Sequence, residues 1–118
     1  MYPGVDIIEI ERFARACRRQ PKLVDRLFTK REQNDLEGKG IQSWAGRFTA
    51  KEAVLKALGT GLHGIGWQDI EIIRGSEGEP VALLSQRAEE RVKARGGSGV
   101  RISIAHDRSR AIAMAILC

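Results

Sequence analysis

Two acids and two lysines carry the chemical interest of this chain. Glu52 and Lys56 stand four residues apart within residues 44–66, WAGRFTAKEAVLKALGTGLHGIG, a segment that winds as a helix with both on one narrow polar wedge beside Thr49. That spacing has two readings. An acid–base pair at i,i+4 is commonly a solvated surface pair worth ~0.3–0.5 kcal/mol; alternatively it is a working pair, and the apolar cover expected around most of this helix favours work. Lys51 falls inside the apolar stripe, where a free ammonium is costly to desolvate, so it must reach out or find an anion. Asp6, in GVDIIEI, shares the face of an extended segment with Ile8 and Ile10. It is either the N-cap of a helix beginning at Ile7 or a ligand for a hard metal ion.

Specific elements must hold these groups. In the central helix Trp44, Phe48, Leu55 and Leu58 form the buried stripe, with Val54 at its margin. Gly46, Ala50, Ala53 and Ala57 make a flank that another backbone or a ligand can approach. Ser43 is the expected N-cap and Gly59 the C′ residue, after which Thr60-Gly61 opens a loop punctuated by Gly64 and Gly66. Upstream, Gly4 to Ile10 reads as a short strand running into a helix with Ile10, Phe13, Ala14 and Cys17 inward. Pro21 opens a second short helix, and Thr29 with Glu32 is a capping box for a third. Downstream, Trp67–Arg74 and Pro80–Leu84 read as a hairpin, Ser85 caps a helix to about Lys93, and Val100–His106 and Arg110–Leu117 are strands. The fold class is α+β, with N-terminal helices and a small antiparallel sheet, and residues 1–118 form a single domain. His106 ends a strand, a place where a lone histidine is usually a hydrogen-bonding group.

Composition narrows the function. No apolar run approaches the ~18 residues of a membrane span, and no basic-then-apolar leader follows Met1, so a cytoplasmic protein without a membrane partner is expected. Cys17 and Cys118 form no ligand motif and are expected to be reduced thiols. Charge is uneven. Between Arg12 and Arg31 eight basic residues face the single acid Asp25, so this segment carries +7 of a net +5 and the remainder −2. A basic first third points to an acidic partner docking there. Nucleic acid is the rival partner, but the basic segment lacks interleaved aromatics and would leave Asp6, Glu52 and Lys51 without a purpose.

Three blocks, taken together, carry a resemblance: GVDIIEIERF, then RFTAKEAVLKALGTGL with GIGWQDIEI, then ISIAHD. Their order and separations are similar to those of the holo-[acyl-carrier-protein] synthases, the short bacterial-type members of the 4′-phosphopantetheinyl transferase family, across essentially all 118 residues.

The resemblance implies an enzyme, a phosphotransferase that moves the 4′-phosphopantetheine arm of coenzyme A onto a serine of apo acyl carrier protein, releases adenosine 3′,5′-bisphosphate and requires Mg²⁺, in fatty acid biosynthesis. It places the metal ligands at Asp6 and Glu52 and, with Lys56 for phosphate charge, the catalytic group. The base is then Glu52 or a metal-bound water. Arg47, Lys51, Lys56 and His106 are the candidates for the diphosphate and 3′-phosphate, with Gly59, Thr60 and Gly61 letting backbone approach the nucleotide. Arg12, Arg19, Lys22 and Arg26, and more loosely Arg15 and Arg18, would grip the acidic carrier. Family members of this length are homotrimers with coenzyme A between subunits, so the late strands would serve that interface and His106 would act in its own or a neighbouring site. The chain departs from the family pattern around His106, where Ala105 and Asp107 stand in place of Ser or Thr and set an acid beside that contact. A silent scaffold that only binds carrier is the remaining alternative.

Overall fold

The computed structural model describes residues 1–59 and 63–118. In chain order its elements are β1 (Tyr2–Glu9), α1 (Ile10–Arg19), α2 (Leu23–Leu27), α3 (Lys30–Leu36), α4 (Ile41–Leu58), β2 (Ile70–Arg74), β3 (Pro80–Leu84), α5 (Gln86–Ala94), β4 (Val100–His106) and β5 (Arg110–Leu117). The strands make an antiparallel sheet ordered β1-β5-β4 and a separate β2-β3 hairpin.

Side-chain size decides where α4 lies. Alternation turns Gly4, Asp6 and Ile8 to one face of β1, and their partners across the ladder are Ala115, Ala113 and Ala111. This face is nearly flat, so α4 settles onto it. Closest approach is at Gly4, where an added Cβ would fall 2.1 Å from the Ala53 carbonyl oxygen and 2.6 Å from the Ala57 nitrogen. The expected small flank of α4 therefore meets a strand backbone. Ala50, Ala53, Val54, Ala57 and Leu58 are fully buried there, with Ile70 and Ile72 of β2.

A second core is aromatic. Phe13 stacks on Phe48 with centroids 5.4 Å apart, and Phe28 meets Trp44 edge-on at the same 5.4 Å. Phe48 also touches Trp67 at 5.3 Å, so α1, α2 and α4 close around one ring cluster.

Helix α3 does the work of a missing strand. β2 pairs with β3 on one edge only, and on the other edge its N–H groups donate to acids of α3: Ile72 to Glu32 at 2.8 Å and Arg74 to Asp35 at 3.1 Å. Both acids are held in turn by α4, through Lys51 to Glu32 at 2.5 Å and Arg47 to Asp35 at 2.5 Å. The Thr29–Glu32 capping box forms as expected.

Three local expectations are corrected. Helix α4 begins at Ile41 behind Gly40 and has no side-chain cap, so Ser43 lies inside it. Trp67–Asp69 is a 3₁₀ turn, because Asp69 accepts the Gly66 N–H at 2.7 Å and the Ser85 hydroxyl at 2.7 Å; the strand starts only at Ile70. Asp6 sits in the middle of β1, which removes the capping role.

Candidate active site

Asp6 and Glu52 meet. β1 brings Asp6 against α4 two residues beyond the Gly4 contact, and the carboxyl of Glu52 lies within hydrogen-bonding reach of it. Lys56, one turn along α4, donates to Asp6 Oδ1 at 3.1 Å and to the Val5 carbonyl at 3.0 Å. Asp6 Oδ2 is buried, and no donor among the described residues reaches it. The group is electrostatically strained. Burial, then the hydrogen bond to Asp6, then its negative charge push Glu52 from its ordinary 4.5 up to about 7, and Lys56 only partly opposes them. Two carboxyls and one orphaned oxygen are a donor set for a hard cation, and no third histidine, cysteine or acid gathers with them among the described residues. Mg²⁺ is suited to so sparse a set, since it keeps waters and completes its shell with substrate oxygens.

The end of α4 beside this group is tightly held. Gly59 takes the left-handed C-cap conformation at φ 78°, while Arg91 of α5 and Arg95 just beyond its end donate to the Leu58 and Ala57 carbonyls, each at 2.8 Å. Thr60 and Gly61 lie outside the described residues.

Comparison with known proteins decides the family. The family model described as the 4′-phosphopantetheinyl transferase superfamily matches residues 2–115. The chain belongs to that superfamily. A holo-[acyl-carrier-protein] synthase of Alkaliphilus metalliredigens is 45% identical over 115 residues, covering 96% of this chain and 94% of the relative. Among solved structures, the Helicobacter pylori holo-[acyl-carrier-protein] synthase in complex with coenzyme A superimposes with a TM-score of 0.86 at 30% identity, covering 98% of this chain and 99% of the other. The Bacillus anthracis synthase in complex with CoA (3′,5′-ADP) gives 0.81 at 33% identity, covering 98% and 94%. The α+β expectation stands, and the protein is a transferase.

Within this transferase the expected phosphate contacts separate. Lys51 is fully buried; burial lowers the pKa of its ammonium, Glu32 counters that pull, and the Phe28 ring lies 5.4 Å away. Its anion is internal, so it does not reach a diphosphate. Arg47 is also buried and spends its guanidinium on Asp35 and, at 2.7 Å, on the Ile72 carbonyl. Even so, Arg47 borders a cavity of about 260 Å³ together with the exposed His106. Lys39 and Arg74 line that cavity too, and the sequence reading missed both; the backbone bond from Arg74 to Asp35 of α3 is what sets Arg74 there. Neither Asp6, Glu52 nor Lys56 lines it.

The basic segment divides as well. Arg12 and Arg26 border a groove of about 790 Å³ with an apolar floor that includes Phe13, Leu27, Phe48 and Trp67. Arg110, at the start of β5, joins its rim and went unnoticed in the sequence because it lies outside the basic run. Arg15, Arg18, Arg19 and Lys22 are exposed but do not line the groove, and Arg18 pairs with Glu11 at 3.0 Å. No helix among the described residues is long and apolar enough to cross a membrane.

Proposed function

We propose that this transferase moves the 4′-phosphopantetheine arm of coenzyme A onto a serine hydroxyl of an apo acyl carrier protein and releases adenosine 3′,5′-bisphosphate, a step serving fatty acid biosynthesis in the cytoplasm. The observation that carries the reading is the convergence of Asp6 and Glu52, 46 residues apart in sequence, around an oxygen that no donor among the described residues reaches. Mg²⁺ held by these two acids would neutralise charge on the pyrophosphate. Lys56 extends from the same turn of α4 and offers its ammonium to the phosphates. Relatives solved with coenzyme A support the choice of donor substrate.

The acceptor is read from charge. The groove has an apolar floor and a rim of Arg12, Arg26 and Arg110, which matches an acidic helical partner that buries a few apolar side chains. Arg15, Arg18, Arg19 and Lys22 extend the field around it. The outer face of the main sheet, where Val5 and Ile7 are each 55% exposed beside Ile112 and Met114, supports self-association, and the family resemblance makes the assembly a homotrimer. A neighbouring copy would then bring its own His106 cavity, with Lys39 and Arg74, to the 3′-phosphate end of a coenzyme A held at Asp6 and Glu52. Light scattering should give three times the chain mass, and Met114→Lys should reduce it.

Mass spectrometry of apo carrier incubated with the protein, coenzyme A and Mg²⁺ tests the central reading. A gain of one phosphopantetheine is expected, abolished by EDTA and by Asp6→Ala. A carrier left unmodified by the folded wild-type protein refutes it.

A further inference from the structure

Two lysines on α4 hold two acids in opposite ways. Lys51 and Glu32 are both 0% exposed, a pair enclosed for the life of the fold. Five residues on, the Lys56 side chain is 56% exposed while its partner Asp6 is 10% exposed, so the carboxylate is fixed and the cation is free to leave. The ammonium of Lys56 spends one proton on Asp6 Oδ1 and one on the Val5 carbonyl, and no acceptor among the described residues takes its third. Beside Glu52, Asp6 Oδ2 meets no donor among the described residues.

We propose that Lys56 is the resident counter-ion of the Asp6–Glu52 pair: it holds Asp6 while no divalent cation is bound and vacates it when one arrives. The inference rests on reading that pair as a cation site. An ion pair this exposed is weak, and a dication seated at Oδ2 would repel an ammonium resting on the sister oxygen. The flexible four-carbon stem of the lysine lets it swing into solvent without disturbing β1 or α4. Once displaced, it is available to an anion that arrives with the metal. Lys56 and a divalent cation thus compete when coenzyme A is absent and cooperate when its phosphates are present.

The test uses full-length protein without coenzyme A and Mn²⁺ as the probe, with affinity read by electron paramagnetic resonance. Lys56→Met should bind Mn²⁺ about fivefold more tightly than wild type, and Asp6→Asn should lose binding. In parallel, acetic anhydride should label Lys56 about threefold faster at saturating Mg²⁺ than in EDTA, since a freed ammonium no longer donates to two oxygens, while buried Lys51 stays unlabelled in both. Adding coenzyme A should reverse the sign, so that Lys56→Met then binds Mn²⁺ less tightly than wild type. Unchanged or weaker Mn²⁺ binding by Lys56→Met without coenzyme A, or a labelling rate indifferent to Mg²⁺, overturns the counter-ion role. If Mn²⁺ binding instead survives Asp6→Asn, the cation-site reading itself fails and the inference falls with it; loss in Asp6→Asn without the Lys56→Met gain sinks the inference alone.

Discussion

Replacing Glu52 by glutamine isolates the electrostatics of the carboxyl pair. In protein free of divalent ions, Glu52 is raised from an ordinary 4.5 to about 7, by burial first and by Asp6 second. A group whose pKa rises on folding stabilises the fold fully below the unfolded value, and that contribution is lost as pH climbs through the folded value. Between pH 4.5 and about 7, the wild-type protein should therefore weaken on account of Glu52. At about 1.4 kcal/mol per pH unit the interval is worth about 3 kcal/mol at face value. Glu52 is only half-buried, and screening by water brings the expected effect to about 1–2 kcal/mol. Glutamine keeps the size, donates an N–H to Asp6 and has no charge to acquire. Chemical denaturation in EDTA should find the two proteins alike at pH 5 and Glu52→Gln more stable at pH 8 by that amount, about 4–8 °C in Tm. Burial works to raise Asp35 and Asp69, but hydrogen bonds from Arg47 and Ser85 outweigh it and hold both low, so their contributions change only below about pH 4. Every group other than residue 52 is common to the two proteins. A stability difference that stays constant from pH 5 to pH 8, or a Glu52→Gln protein weaker at pH 8, would refute the reasoning.

Lys51→Met leaves Glu32 enclosed without its cation, and should cost about 3–5 kcal/mol in urea denaturation, whereas adding Glu32→Gln to it should recover part of that loss. A cost under 1 kcal/mol for the single change would show that the pair is not held as described. Gly4→Ala must push β1 away from the Ala53 carbonyl, since the new Cβ would start 2.1 Å from it, and should cost about 2–3 kcal/mol. Gly99→Ala meets nothing within 4 Å and serves as the neutral comparison in the same thermal melts.

The elements were legible where the signal was local. The Thr29–Glu32 box, the Gly59 cap and the two C-terminal strands follow from neighbours a few residues apart, and all three form. Trp67–Asp69 misled because Trp, Gln and Asp can begin a strand as well as a turn, and the choice is made by Ser85, 16 residues from Asp69. The N-terminus of α4 misled for a related reason: Gly40 at the N-cap leaves no side-chain signature, and the nearby serine drew the boundary inward.

Site residues obey the same rule with higher stakes. Periodicity identified Lys51 as an ammonium in an apolar stripe that needed an anion, but the anion lies 19 residues away on α3 and cannot be found by winding α4 alone. Arg47 is likewise claimed by Asp35, 12 residues upstream. Asp6 was anomalous on its strand face and Glu52 on its helix wedge, yet nothing local joined them; the pairing came from the resemblance. What joins them physically is the narrow inner face of the sheet. Gly4, Ala111, Ala113 and Ala115 carry too little side chain to hold α4 away, so Asp6, the one acid in that row of small residues, is pressed onto the helix beside Glu52 and Lys56. A larger side chain at Gly4 would therefore act on the carboxyl pair as well as on the core, because the contact that seats α4 on the sheet also sets the separation of the two acids.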